Sequence, residues 1–286
     1  MHKGRKTAMI LLGIIVSLVL LVLVLFALPH SKTRREYSKA TEKLIGDALS
    51  SGEVFTLEEI ASLPLPVQRY FIHCRFIGKP KMTHMKATFK DVDFSLGRGK
   101  PTIRIEYVQH NGVRQPQRLA YIDSSLYGIP FEGLDSFLGG KGSMKGVLAK
   151  LFTLFDERGE DMDRACLATF LAEALLIPSV ALEPYIRWVG LDDTHAKATI
   201  EAYGLSCSGI FTFSEEGEML SFSTDDRVAT GMDGKKERIR WTALLADYQV
   251  KGDLLLPTTL QGVWNYPEGD FLYFDGKGVF IEYSNR

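Results

Sequence analysis

The sequence predicts an α+β protein in which a curved antiparallel sheet wraps around one or more apolar helices. Three observations predict it: an unbroken apolar run near the N-terminus, many short segments that alternate between apolar and polar residues, and one helical segment that is apolar nearly all round. In chain order we expect a short basic tail (1–7), a transmembrane anchor (8–28), a helical stalk or linker (29–80) and a sheet domain (81–286) with an inserted helix (161–177).

The composition is that of an ordinary globular domain. The chain has 286 residues, 45% of them hydrophobic, and 34 basic residues nearly balance 35 acidic ones. This near-zero net charge argues against nucleic acid as a partner, because phosphate binding relies on a basic surface. The histidines and cysteines lack metal-ligand spacing, so we expect no metal and no cofactor. The three cysteines indicate no disulfide framework and allow at most one bridge.

The apolar run from Ala8 to Leu28 contains only Gly13 and Ser17 outside the apolar set. As a helix it is roughly 31 Å long, which matches the hydrocarbon core of a bilayer. A cleavable signal peptide is the alternative, but its apolar region is typically only about 7 to 15 residues long, and no clear cleavage site follows here. We therefore expect a single-pass anchor in the cytoplasmic membrane. Basic residues flank both of its ends, so charge alone does not orient it.

The stalk is predicted to be helical. Apolar residues recur at helical spacing from Tyr37 to Ser50, and Thr56 with Glu59 has the pattern of a capping box that opens a short helix. Pro66 then fits the first turn of another helix that continues through Phe71.

From about Lys81 the period changes to that of strands. In Thr102 to Gln109 the side chains of Ile103, Ile105 and Tyr107 face one way, and those of Arg104 and Glu106 face the other, which predicts a strand with one solvent-exposed face. The apolar register is odd up to Phe89 and even from Val92, and such a shift predicts a β-bulge. Similar alternation over 196–222 and 260–283, with glycine-containing turns between the segments, predicts an antiparallel meander.

The segment from Asp161 to Ile177 does not show this alternation of apolar and polar residues. It begins with acidic residues, ends before Pro178 and is apolar nearly all round, so we expect a helix buried by the sheet. Glu173, Thr169 and Cys166 share one face of this helix. A buried Glu173 either bonds an arginine or backbone groups and fixes the helix, or has a raised pKa and takes part in chemistry.

Candidate reaction motifs fail on spacing or context. Gly204-Leu-Ser-Cys-Ser-Gly209 lacks the second glycine of a nucleophile elbow and falls within a predicted strand. Gly139-Gly-Lys-Gly-Ser143 resembles a phosphate loop only in composition, and the acidic run 156–163 lacks the ligand spacing of a calcium loop. The aromatic residues of the second half either line an apolar cavity or fill the core.

Several separated motifs resemble a known family. The motifs are the segment Leu63-Pro-Leu-Pro-Val-Gln-Arg-Tyr-Phe71, the helix with Arg164, Leu171, Ala172, Glu173 and Pro178, and the later Trp188, Arg227 and Trp241. Over residues 60–286 they resemble an uncharacterised bacterial family of membrane-anchored or secreted proteins, which is similar in architecture to periplasmic lipoprotein and lipid carriers. The resemblance implies a strongly curved antiparallel sheet, an incomplete barrel, wrapped around helices, and an extracytoplasmic domain. It implies no reaction.

Three hypotheses for function follow. The first is a module that binds an apolar ligand, a lipid or an acyl chain, between sheet and helix; the second is a structural or interaction protein of the envelope with a filled core; the third is a hydrolase or isomerase that uses Glu173. The expected partners are the lipid bilayer and an apolar ligand. The expected ligand-binding residues are Glu173, Thr169, Cys166, Trp188, Trp241 and Trp264.

Overall fold

The computed structural model describes residues 2–47, 52–95, 97–230 and 236–285. Five α-helices occur in these ranges: α1 (His2–Ala27), α2 (Lys32–Gly46), α3 (Leu57–Ile60), α4 (Leu65–His73) and α5 (Glu160–Ala172), with a 3₁₀ turn at Pro178–Leu182. Residues 48–51, where the predicted stalk helix ends, lie outside the described residues.

The strands form one large antiparallel sheet and one small hairpin. The first half contributes β1 (His84–Ser95), β2 (Thr102–Gly112), β3 (Gln117–Leu126), β4 (Ile129–Leu138), β5 (Lys141–Leu148) and β6 (Phe152–Arg158). The second half contributes β7 (Ile186–Gly190), β8 (His195–Ala202), β9 (Leu205–Phe213), β10 (Met219–Thr224), β13 (Arg240–Lys251), β14 (Leu254–Tyr266), β15 (Gly269–Lys277) and β16 (Phe280–Ser284). β11 (Val228–Thr230) and β12 (Lys236–Arg238) pair only with each other in the described residues.

The predicted fold class is confirmed. The strand order is β6-β5-β4-β3-β2-β1-β15-β14-β13-β10-β9-β8-β7, with β16 on β1, and the two edge strands β6 and β7 are not paired with each other in the described part of the chain. The bulge predicted between Phe89 and Val92 is present as a register shift in the β1–β2 pair. Further shifts lie between Gly146 and Val147 and between Gly262 and Val263. Because bulges bend strands, the sheet curves into an open barrel.

Helix α5 lies in the concave face of this sheet. Leu167, Phe170 and Leu171 are fully buried, as expected for a helix that is apolar nearly all round. The helix is shorter than the predicted span of 161–177, because it ends at Ala172 and residues 173–176 form turns. Glu173 is the C-terminal cap with φ −91° and ψ 0°, and its side chain is bonded to the sheet, which explains the early end.

The predicted stalk is helical, but much of it belongs to the domain core rather than to a separate linker. The fully buried aromatic residues of this segment pack edge-on against one another: Phe55, Tyr70, Phe71 and Phe76. The Tyr70 hydroxyl donates to the Leu175 carbonyl at 2.6 Å, which ties α4 to the turn after α5. The capping box is present in part, since Thr56 Oγ1 accepts from the Glu59 amide at 3.3 Å. Local sequence patterns predicted these helices, but they did not predict that the helices pack against the core of the sheet domain.

Helix α2 packs on the convex face of the sheet. Tyr37 lies with its ring centroid 5.3 Å from that of Tyr121, and Arg34 Nη2 is 2.7 Å from Asp123 Oδ2. Tyr121 points away from α5 because its neighbour Ile122 points towards it, and side chains alternate along a strand. The sheet is therefore covered on both faces at strands β2 to β4.

Helix α1 is the one helix in the described residues that is long and apolar enough to cross a membrane. Its apolar side chains from Met9 to Leu25 are exposed. Where it ends, Lys150 Nζ donates to the Phe26 carbonyl at 2.8 Å and to the Leu28 carbonyl. The turn that carries Lys150 and the turn at Tyr127 lie at the same end of the sheet, because Phe131 pairs with Leu148.

Candidate ligand-binding site

A cavity of about 270 Å³ lies between α5 and the concave face of the sheet. Strands β1, β13, β14, β15 and β16 supply most of the wall that the sheet forms, and the inward side chains are largely apolar. Members of this wall are Met85, Ala87, Phe89, Ala243, Leu245, Leu260, Phe274 and Ile281. They face inward because β-strand side chains alternate, and the inward positions of these strands are the apolar ones.

Helix α5 and the turn that follows it line the same cavity with three of the predicted residues. Cys166, Thr169 and Glu173 all face it, as their shared helical face predicted. The Thr169 hydroxyl donates to the Ala165 carbonyl at 2.9 Å, so it is already bonded within the helix. Cys166 is a free, buried thiol whose pKa is raised by burial and by nearby Asp135. A thiol in this state is a poor nucleophile.

A polar cluster borders the cavity and is centred on Arg118. Its Nε lies 3.1 and 3.0 Å from the two carboxylate oxygens of Glu173, and its Nη1 donates to Asp135 Oδ2 at 2.5 Å. Its Nη2 donates to the Tyr107 hydroxyl at 2.5 Å and to Gln109 Oε1 at 3.2 Å. We call these residues, together with Asn111, the Arg118 cluster.

Pairing of opposite charges explains how the charged side chains of the Arg118 cluster can be buried. The Arg118 side chain is only 6% exposed, and that of Glu173 13%. Burial alone would lower the pKa of Arg118, but Glu173, Tyr107 and Asp135 together hold that pKa well above its ordinary value. Asn111 Nδ2 donates to Glu173 Oε2 at 2.7 Å, so both carboxylate oxygens of Glu173 have partners. Of the two predicted states of Glu173, the structure has the one bonded to a sheet arginine.

Sequence reasoning missed the partners of Glu173, although a signal was present. Gln109 and Asn111 continue the inward register of Ile105 and Tyr107, so polar side chains enter the concave face at the end of β2. Arg118 occupies an inward position at the start of β3, in register with Ala120 and Ile122. Polar residues at inward strand positions need partners inside the domain.

Only one of the three predicted tryptophans lines the cavity. Trp241 does, and its Nε1 donates to the Tyr273 hydroxyl at 3.1 Å. Trp188 lies instead on edge strand β7, where its Nε1 donates to the Ala181 carbonyl and its ring packs 5.0 Å from that of Phe211. Trp264 is the register partner of Trp241, but Arg227 and Tyr273 lie against it and it does not reach the cavity lining. Trp188 and Trp264 therefore do not line this cavity, and their role in ligand binding stays a prediction.

A wider depression of about 860 Å³ lies elsewhere, between the end of α2 and the segment before β1. Its lining is rich in charged side chains, and Lys81 in it bonds both Glu53 and Glu59. It borders residues 48–51, which lie outside the described part of the chain. The more apolar cavity under α5 is therefore the better candidate for a ligand site.

Comparison with known proteins identifies a family. The sequence model of a family of unknown function, DUF6544, matches residues 53–276. No curated protein matches the sequence.

Three of the solved structures that are similar to this chain are the following. A LolA superfamily protein from Nitrosomonas europaea has a TM-score of 0.40 and 7% identity, over 76% of this chain and 93% of that chain. A putative outer membrane lipoprotein-sorting protein domain from Vibrio parahaemolyticus has a TM-score of 0.36 and 9% identity, over 70% and 84%. A DUF1329 family protein from Desulfovibrio piger has a TM-score of 0.31 and 10% identity, over 76% and 93%.

Proposed function

Because this chain belongs to DUF6544, a family of unknown function, we propose a function from its own cavity: it is a membrane-anchored protein that binds the apolar chain of a lipid-like ligand between α5 and the sheet. The observation that carries the proposal is the cavity itself. A core that served only to hold the fold together would be close-packed, with few voids larger than a water molecule.

The size and chemistry of the cavity support an acyl chain or a ligand of similar shape. Its volume of about 270 Å³ is just below the common range of ligand pockets, roughly 300 to 1,000 Å³. Its walls are largely apolar, and the polar groups of the Arg118 cluster bond one another. An apolar ligand gains free energy by leaving water and needs few polar partners there.

Membrane anchoring is supported by α1 and by the surface beside its end. α1 has the length and apolar composition of a span. Around the Lys150 contact, the exposed side chains are large and apolar: Tyr127 is 90% exposed, Leu151 78% and Phe152 65%. Exposed apolar groups next to the end of a membrane helix suit the bilayer interface. We propose that α1 crosses the cytoplasmic membrane, that the domain lies outside the cytoplasm, and that this end of the sheet touches the lipid.

The competing functions are less well supported. An envelope protein with a filled core would not need a cavity under α5. A hydrolase or isomerase that uses Glu173 would need a carboxylate free to exchange a proton, whereas both oxygens of Glu173 are held by Arg118 and Asn111. These bonds favour a positioning role for Glu173.

Filling the cavity tests the proposal. We would add dodecanol to the full chain in a bulky sterol-based detergent and measure adducts by native mass spectrometry. Ala243→Leu places a larger side chain in the cavity wall, and we expect it to weaken binding at least about ten-fold. Ala246→Leu, on the exposed part of the same strand, is the matched control and should bind as the natural chain does. Equal binding by Ala243→Leu and the natural chain, with both folded by circular dichroism, would contradict the proposal.

A further inference from the structure

The cavity is lined by two arginines with opposite surroundings. Arg118 is bonded to two carboxylates, those of Glu173 and Asp135. Arg227 also lines the cavity, but its Nε and Nη1 atoms are buried and have no hydrogen-bond partner among the described residues. Arg118 is therefore bonded to two negative charges, whereas no carboxylate in the described part of the chain is bonded to Arg227.

The contacts of Arg227 are aromatic rather than acidic. Its guanidinium carbon lies 4.2 Å from the ring centroid of Trp241 and 5.1 Å from that of Trp264. Cation–π contacts of this kind compensate part of the cost of a buried charge, but they leave the N–H donors unbonded. The two tryptophans thus hold the guanidinium in place, and its Nε and Nη1 donors have no hydrogen-bond partner among the described residues.

The acidic residues next to Arg227 are committed elsewhere. Asp225 accepts from Arg240 Nε and Nη2 at 2.9 and 2.8 Å. Asp226 Oδ2 accepts from the Ser208 amide at 2.8 Å. Within the cavity, Asp135 and Glu173 are bonded to Arg118. None of these four carboxylates forms a hydrogen bond to Arg227.

From these contacts we infer that the ligand is an anionic amphiphile whose carboxylate or phosphate pairs with Arg227 while its apolar chain occupies the cavity. The inference rests on the proposed ligand-binding function and narrows it. A planar guanidinium suits both anions because its parallel N–H groups match two oxygens at once. Arg118 does not compete for the headgroup, because Glu173, Asp135, Tyr107 and Gln109 already accept from its nitrogens.

Four probes with one chain length separate headgroup recognition from chain burial. They are dodecanoate, dodecyl phosphate, dodecanol and dodecylamine, each added to the full chain in a bulky sterol-based detergent. We expect the two anions to bind at least about ten-fold more tightly than dodecanol, and dodecylamine to bind most weakly. A higher affinity for the phosphate indicates a phospholipid-type headgroup, and a higher affinity for the carboxylate indicates a free fatty acid; either result supports the inference.

Variants of Arg227 test whether this side chain causes the preference for anionic ligands. Arg227→Met removes the charge, and we expect it to bind dodecanoate and dodecanol equally. Arg227→Lys keeps the charge and should retain part of the preference, which covers the case in which the methionine variant does not fold. Arg240→Met, at an exposed arginine bonded to Asp225, is the control and should keep the full preference.

Failure of the Arg227 assignment can be distinguished from failure of the proposed ligand-binding function. Equal binding of dodecanoate and dodecanol by the natural chain would overturn the assignment of Arg227 and leave the apolar site intact. Binding of none of the four probes would overturn the proposed function and this inference with it.

Discussion

Arg118 Nε lies 3.0 and 3.1 Å from the two carboxylate oxygens of Glu173, so the turn after α5 is bonded directly to strand β3. The two residues are 55 positions apart in the chain. The pair fixes where α5 ends and therefore sets one boundary of the cavity.

Loss of Arg118 should destabilise the protein strongly. Arg118→Met leaves Glu173 and Asp135 in the interior without their counter-charge, and breaking a buried ion pair in this way costs about 3 to 5 kcal/mol. Urea unfolding followed by tryptophan fluorescence measures the loss. Arg187→Met is the control, because its partner Glu201 and the arginine itself are both largely exposed, and it should cost less than about 1 kcal/mol. Similar costs for the two variants would contradict the importance of the cluster.

Glu173→Gln should have a milder effect than Arg118→Met. The amide oxygen still accepts a hydrogen bond, and Asp135 still neutralises Arg118, so we expect a loss of about 1 to 3 kcal/mol. The same urea unfolding experiment checks it. A variant as stable as the natural chain would contradict the positioning role and would favour the catalytic alternative.

His110 should make stability depend on pH. Burial, with smaller contributions from His84 and Lys86, lowers the pKa of His110 to about 4. The unfolded chain takes up this proton near pH 6.5, so stability is lost as the pH falls from about 6.5 to 4, by up to about 1.4 kcal/mol per pH unit. His110→Phe should flatten this part of the curve in thermal unfolding at stepped pH, while the exposed His30→Gln should not. Parallel curves for the natural chain and His110→Phe would show the prediction to be wrong.

Gly209 should not tolerate alanine. A Cβ atom at this position would lie 2.2 Å from Cζ of Phe222 and 2.7 Å from the Ser223 carbonyl oxygen. Overpacking of this kind typically costs about 1 to 3 kcal/mol, measurable as a shift of the urea midpoint. Gly190→Ala is the matched control, since its nearest neighbour, Pro64 Cβ, would be at an ordinary 3.5 Å. Equal midpoints for the two variants would count against close packing at Gly209.

The proposed bilayer contact predicts a labelling pattern. Leu151→Cys, labelled with an environment-sensitive fluorophore in the full chain in nanodiscs, should be quenched by lipids that carry a nitroxide. Arg114→Cys, in the exposed turn at the other end of the sheet, should not be quenched. The natural cysteines are buried, which favours labelling at the new site. Equal quenching at the two positions would contradict the proposed orientation.

Patterns within a few residues were sufficient to predict the local features of the fold. The shift of apolar register between Phe89 and Val92 predicted the bulge, and the alternation of Ala196, Ala198 and Ile200 predicted β8. The family resemblance is confirmed by the match over residues 53–276. These features depend on the period of side chains along one element, which the sequence displays directly.

Features that depend on distant residues were not predicted. Nothing near Glu173 in the sequence indicates Arg118, and nothing near Phe55 or Phe76 indicates that they join the core rather than a stalk. The distinction between Trp241 and Trp188 likewise depends on sheet curvature, which decides which inward residues reach the cavity. Packing between residues that are distant in the sequence, rather than local secondary-structure propensity, determines these features.

The bonds from Lys150 to the carbonyls of Phe26 and Leu28 hold the sheet domain against the end of α1. Only the residues from Leu28 to Ser31 connect α1 to α2, and α2 is packed on the sheet. The sheet domain can therefore move little relative to the end of α1. With α1 in a bilayer, as we propose, this short connection keeps the domain close to the lipid surface. If α1 is a retained anchor, as we propose, the domain cannot carry its ligand to a second membrane. Transfer of the ligand to another site would then require an acceptor protein or membrane that comes to the domain. The protein would hold its ligand at the membrane rather than carry it away.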